Sequence, residues 1–318
     1  MSRWRNLVFK GGGIKGLAYI GALKVLEARG ALALIRRVAG TSSGAMCATF
    51  LALGASPWDM ARIVLRTRFD RFMDASVWPG GNIRRLLTDY GWFKGDVLHR
   101  WVRMTVASLT GDGDLTFAGL AQLRSGQPDR FRDLSIVAAD FSAQAPVVFN
   151  ARRSPGMPVS LALRTAMGIP LFYGVQRGPG GELLGDGGLL WNYPLSMYDA
   201  PEESDQDDGL ASAGPHARRY NPETLGLMVE TRRSARSAQV APGTQIEHFS
   251  EYLRSILGLM TDLSQSAYLS PEDWKRTVFI EALGVRATDF RISVAGMERL
   301  MESGEQAVDA FFDCGKAD

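Results

Sequence analysis

The stretch Val8-Phe9-Lys10-Gly11-Gly12-Gly13-Ile14-Lys15-Gly16, "VFKGGGIKG", decides how the rest of this chain is read. It passes from an apolar run through a glycine cluster into residues with helical spacing. Leu7 to Phe9 has the character of a short buried strand, and Leu17 to Ala28 places apolar side chains on a helical period until Gly30 stops it. A glycine turn between strand and helix exposes backbone N–H groups at the helix start, where they can hold a phosphate or an oxyanion. Gly11, Gly13 and Gly16 even fall at the spacing of a dinucleotide fingerprint.

The next unit repeats the pattern. A strand around Ile35 to Ala39 runs into "GTSSG" (40–44), followed by an apolar helix from Ala45 to Leu53 that ends at Gly54 and Pro57. Two successive strand–turn–helix units imply an α/β fold with a mostly parallel central sheet. The second turn also bears on the rival readings of the first. A dinucleotide site needs an acid at the end of the second strand to hold the ribose, and no Asp or Glu lies between Ala28 and Ser56. A nucleotide phosphate loop is excluded because Gly16, not Ser or Thr, follows Lys15. An NAD(P)-dependent oxidoreductase is therefore the weaker alternative.

"GTSSG" instead fits G-x-S-x-G, with Ser42 at a tight strand-to-helix turn and glycines where side chains would clash. Ser43 occupies the variable place of that pattern. A serine nucleophile needs a base, and the three histidines offer no persuasive one. His99 lies in a helical segment, His216 in a polar stretch, and His248 begins a helix beside Glu247. Asp186, in "LLGDGGLLWNYP" (183–194), is the better candidate, although Asp-Gly also makes ordinary β-turns. An aspartate of ordinary pKa is a poor base for a serine hydroxyl. It needs partial burial, and the reaction needs a strong oxyanion hole. The amides of Gly11, Gly12 and Gly13 supply such donors, with Lys15 either adding positive charge or standing solvated in the first turn.

These three pieces, in this order, resemble the patatin-like phospholipases: a GGGxxG loop (11–16), a G-x-S-x-G elbow (40–44) and an Asp-Gly-Gly motif (186–188). "RTAMGIPLFYGV" (164–175) and "DGGLLWNYPL" (186–195) are also similar to that family, whereas Lys10 departs from it, since many members carry Asp or another residue there. The resemblance implies a three-layer α/β/α fold and a Ser42–Asp186 dyad acting on acyl esters of lipids. It implies no metal or cofactor, and the Gly11–Gly13 amides would hold the oxyanion. A non-catalytic lipid-binding module is the remaining alternative.

Composition agrees with an ordinary folded protein. The 318 residues are 46% hydrophobic and 22% charged, with a net charge of +2 that gives no basic field for nucleic acid. Two cysteines, Cys47 and Cys314, form no disulfide framework. The start, "MSRWRNLVF", lacks the apolar run of a signal peptide, and the charge-free run Val38 to Trp58 contains only a short continuous helix. The expectation is a cytoplasmic protein making transient contact with membrane surfaces, of unknown oligomeric state. One domain, 1–318, is expected, with a recognisable core at 7–195 and a mobile polar insertion at 200–219. Residues 56–116 hold four of the seven tryptophans and read as a helical insertion, a cap in which Phe69, Phe72, Trp78, Trp92 and Phe93 either line a groove or form its core.

Overall fold

Alternation along the first strands explains how the sheet is buried. Leu7, Phe9 and Val38 point to one face and Val8 and Ala39 to the other, and all five are fully buried. The computed structural model describes residues 4–78, 80–199, 220–230 and 269–314. Strands β1 (Asn6–Phe9), β2 (Arg37–Thr41), β4 (Asp133–Asp140), β9 (Thr224–Met228) and β10 (Thr277–Phe279) are parallel, in the spatial order β10-β9-β1-β2-β4. Beyond β4 the direction alternates: β8 (Leu183–Asp186) is antiparallel to β4, and β7 (Gln176–Arg177) is antiparallel to β8. Strand β5 (Ala145–Phe149) folds back on β4 as a hairpin of two apolar runs. The architecture is α/β with a mostly parallel central sheet.

The larger core lies on the Leu7/Phe9 face. Helices α1 (Ala18–Ala28), α2 (Ser43–Ala52), α7 (Val159–Ala166) and the long α8 (Val294–Cys314) bury their apolar residues there. All ten residues of helix α2 are buried within the protein, which accounts for its apolar sequence without a bilayer. No helix among the described residues is long and apolar enough to cross a membrane. On the opposite face, Val8 and Ala39 pack on Leu195 and Tyr198 of a 3₁₀ turn. Helix α1 and helix α8 approach closely because Gly21 and Gly304 carry no side chain. A Cβ at Gly21 would lie 1.7 Å from the Met301 carbonyl oxygen, and one at Gly304 1.9 Å from that of Ala18.

The insertion begins with α3 (Pro57–Leu65), capped by a reciprocal Ser56–Asp59 box with Pro57 in the first turn. It continues through α4 (Gly81–Thr88), β3 (Gly91–Phe93), α5 (Asp96–Thr110) and, beyond it, α6 (Phe117–Gly126). Its aromatics separate into two groups. Phe69 and Phe72 are buried and meet Trp101, which also contacts Phe50 of α2, with ring centroids 5.3–6.4 Å apart. Half-buried Phe93 packs on Phe172 at 4.7 Å, and Trp92 is also half-buried, whereas Trp78 stands in solvent. Strand β3 pairs in parallel with β6 (Leu171–Tyr173), a two-stranded sheet for which no sequence pattern gives a sign. Buried Arg164 ties the same junction together, donating to the carbonyls of Lys94, Gly95 and Gly174. The expected polar insertion 200–219, His216, and His248 with the helix it is expected to begin lie outside the described residues.

Candidate active site

Register brings the three glycine motifs to one edge of the sheet. Phe9 of β1 pairs with Gly40 of β2, and Thr41 of β2 pairs with Val137 of β4. The next β4 residue, Ala138, opposes Asp186 at the end of antiparallel β8. Residues that follow Phe9 and Thr41 therefore emerge beside Asp186, at the carboxyl ends of the parallel strands. That edge is where open α/β sheets bind their ligands.

Ser42 occupies the turn between β2 and α2 at φ 54° and ψ −126°, a conformation that a non-glycine residue holds only when its surroundings impose it. Those surroundings are two backbone contacts. A Cβ at Gly40 would lie 2.4 Å from the Gly44 carbonyl, and one at Gly44 would lie 2.5 Å from the Phe9 carbonyl oxygen. The glycines of G-x-S-x-G thus let the start of α2 sit directly on the ends of β1 and β2. Gly44→Ala is expected to destabilise the fold by about 1–3 kcal/mol, because backbone must move to admit the methyl. Gly12→Ala is the control: nothing stands within 3.8 Å of its Cβ position, and its φ of −164° suits any residue. Urea unfolding of the two variants separates them.

The two serines of the elbow differ. Ser43 is buried, and its hydroxyl accepts the Gly12 amide at 3.1 Å. Ser42 is half-buried, and its hydroxyl lies near enough to the Asp186 carboxyl to favour the carboxylate. Asp186 is buried and accepts the Gly188 amide at 2.8 Å. Burial pushes its pKa up to about 6, against the opposing pull of the Ser42 hydroxyl and the Gly188 amide. Cys47, one turn into α2, is a thiol at neutral pH, its pKa raised by burial to about 12. His99 sits on α5 near Arg103 and Asp114, and among the described residues no hydrogen bond joins it to Ser42. Burial and the two cations Arg164 and Arg103 lower its pKa.

The glycine loop is held from three sides. Gly11 donates its amide to the Asn192 carbonyl at 2.9 Å and accepts from the Asn192 side-chain amide at 3.4 Å. The Gly12 amide is engaged by Ser43. Gly13 has φ +57°, and the loop around Ala287 presses on it so closely that a Cβ would meet the Ala287 carbonyl oxygen at 2.1 Å. Among the described residues neither the Gly13 amide nor the Ser43 amide has an acceptor. The Lys15 stem passes Gly12, with Cε 3.9 Å from the Cβ position there. The dinucleotide-like spacing also has a packing cause. Gly16 is small because Ser43 Oγ lies 2.6 Å from its Cβ position, and Gly11 because Asn192 Oδ1 lies at 2.1 Å.

Asn192 is legible in sequence only as part of a motif, and its role as the bridge between the glycine loop and the Asp186 turn has no local signal. The same holds for Thr41, whose hydroxyl donates to the Trp191 carbonyl at 2.9 Å, and for Ala287. Lys10, the departure from the family pattern, is buried and ion-paired with Glu230 just beyond the end of β9.

An α/β sheet that sets a strained serine turn beside a buried aspartate at the carboxyl ends of its strands is the architecture of the patatin fold. The family model of patatin-like phospholipases matches residues 7–198, and the chain belongs to that family. It is 26% identical over 314 residues to the uncharacterized protein YqhO of Bacillus subtilis (strain 168), covering 96% of both chains. It is 25% identical over 309 residues to the uncharacterized protein R571 of Acanthamoeba polyphaga mimivirus, covering 96% of this chain and 93% of that one. Among solved structures, VipD from Legionella pneumophila is similar with a TM-score of 0.53 at 16% identity, over 98% of this chain and 67% of that one. ExoU from the type III secretion system of Pseudomonas aeruginosa, solved with SpcU, is similar at 0.52 and 19%, over 97% of this chain. The chain spans about half, 52%, of that ExoU chain. At these identities the likeness to the two structures is one of fold.

Proposed function

We propose that the protein hydrolyses carboxylic esters of lipids through a Ser42–Asp186 dyad. The observation that carries this reading is the strained Ser42 elbow set beside a buried carboxyl, Asp186, whose pKa is about 6. Such a carboxyl is ionised at neutral pH yet far more basic than an ordinary aspartate. Ser42 Oγ attacks the ester carbonyl as Asp186 takes its proton. The tetrahedral oxyanion is received by backbone amides at the facing starts of the two helical segments. Gly13 and Ser43 have N–H groups to offer there, and Gly12 stands beside them. The Gly11 amide, engaged by Asn192, shapes the loop. Collapse expels the alcohol or lysolipid, which leaves with the proton from Asp186, and an acyl-Ser42 ester remains. Water, deprotonated by Asp186, then releases the fatty acid and restores the serine. Lys15, beside Gly12, brings positive charge to the same edge.

The pH dependence follows from the direction in which burial moves Asp186. The carboxylate is the active form, so kcat/KM is expected to rise about tenfold per pH unit below about 6 and to level off above it. A profile flat from pH 4.5 to 8 on a soluble ester contradicts Asp186 as the base. A panel of phospholipids and neutral acyl esters, read by mass spectrometry of released fatty acid and lysolipid, identifies the preferred substrate and acyl position.

A further inference from the structure

Among the described residues, five of the eleven large apolar side chains that stand in solvent fall within 77–90: Val77, Trp78, Ile83, Leu87 and Tyr90. Val77 is 99% and Trp78 79% exposed, and α4 contains no buried residue. An isolated eight-residue helix is unstable in water, and α4 is pinned along one side only. There Asn82 accepts the Ser76 amide at 2.6 Å, and Arg85 donates to the Trp92 carbonyl at 2.9 Å. Ile83 and Leu87, one turn apart, form the other side, with Arg84 next to them and exposed. The helix carries two arginines and no acid.

This segment is coupled to the candidate site. Strand β3 follows α4 directly, and its Gly91 pairs with Leu171 of β6. Three residues before Leu171, the Gly168 carbonyl accepts the Asp186 amide at 2.9 Å. Leu171 is itself exposed, and so is Leu190, which closes the turn after Asp186. Exposed apolar groups therefore occur on the patch, on the strand beside it and on the Asp186 turn.

We propose that the exposed side chains of Val77, Trp78, Ile83, Arg84, Leu87 and Tyr90 are a docking surface for an anionic lipid bilayer, which they join so as to present the Ser42 edge to it. The proposal rests on the lipid-hydrolase reading for its purpose but not for its test. A bilayer fits better than a protein partner because the patch combines an exposed Trp and Tyr, which settle at headgroup depth, with aliphatic side chains and an arginine on a short amphipathic helix. Arginine at the surface favours anionic headgroups.

Binding is measured by flotation with vesicles of phosphatidylcholine, with and without 30% phosphatidylglycerol, using the Ser42→Ala protein so that no lipid is consumed. The parent is expected to bind the mixed vesicles. Ile83→Asp with Leu87→Asp is expected to lower partitioning at least tenfold, and Arg84→Glu to remove the preference for the anionic vesicles. Trp58→Ala, another exposed tryptophan on α3, is expected to bind as the parent does. With Ser42 restored, all of these variants are expected to hydrolyse a soluble short-chain ester at the parental rate. Parental vesicle binding by the double variant overturns the proposal, as does failure of the parent to bind. It is equally overturned if the double variant dissociates an oligomer while keeping its vesicle binding, which makes the patch a contact between copies. Absence of ester hydrolysis in the Ser42 protein refutes the catalytic reading alone and leaves the vesicle result standing.

Discussion

Ser42→Ala is expected to lower kcat/KM for ester hydrolysis roughly 10³- to 10⁵-fold while leaving the fold intact. The effect is large because, in the proposed mechanism, the substitution removes the atom that bonds to substrate, and Ser43 cannot replace it. The Ser43 hydroxyl is buried and committed to the Gly12 amide. Stability should change little. The Ser42 side chain caps no helix, and alanine at φ 54° bears the same backbone strain that serine already bears. Circular dichroism and urea unfolding alongside the assay separate loss of chemistry from loss of fold. An unfolded Ser42→Ala, or one within tenfold of the parent, contradicts the assignment.

Asp186→Asn is expected to move activity and stability in opposite directions. Asparagine can accept the Gly188 amide as the aspartate does, but it cannot take the serine proton, so kcat/KM should fall about 10²- to 10⁴-fold. The stability change follows from linkage. The folded pKa of about 6 lies above the reference value of 3.8, so near pH 4 to 6 the folded state keeps a proton that the unfolded state has lost. The contribution of Asp186 to stability is thus fully present below pH 4 and disappears as pH rises through 6. At pH 7 the buried carboxylate destabilises the parent by up to about 3 kcal/mol, since each pH unit separating the folded and reference pKa values is worth about 1.36 kcal/mol. The variant should therefore be more stable than the parent at pH 7.5, with the difference shrinking towards pH 4. Equal stability at both pH values contradicts a buried, ionised Asp186.

The legible parts of this protein are those whose geometry is local. A nucleophile elbow requires glycines two residues either side of the serine, because the helix start rests on the strand ends. That contact is visible here in the carbonyls of Phe9 and Lys10 facing Gly44. The strand before it is less well placed by sequence, at 35–39 rather than Arg37–Thr41, because Gly40 and Thr41 carry no apolar signal. The reversal of β8 against β4, which sets Asp186 beside Ser42, is a long-range pairing with no sequence mark. Asn192 and Ala287 shape the glycine loop across 181 and more than 270 residues of chain, again without local trace. The aromatic insertion shows the limit of composition. Phe69, Phe72 and Trp78 look alike in sequence, yet two form core with Trp101 and one stands exposed.

Activation of Ser42 by a buried aspartate can be read without any lipid, by labelling with a fluorophosphonate and locating the adduct by peptide mass spectrometry. One adduct is expected, on Ser42, absent from Ser42→Ala and formed about a hundredfold or more slowly by Asp186→Asn. An adduct on another residue, or parental labelling of Asp186→Asn, would refute the dyad.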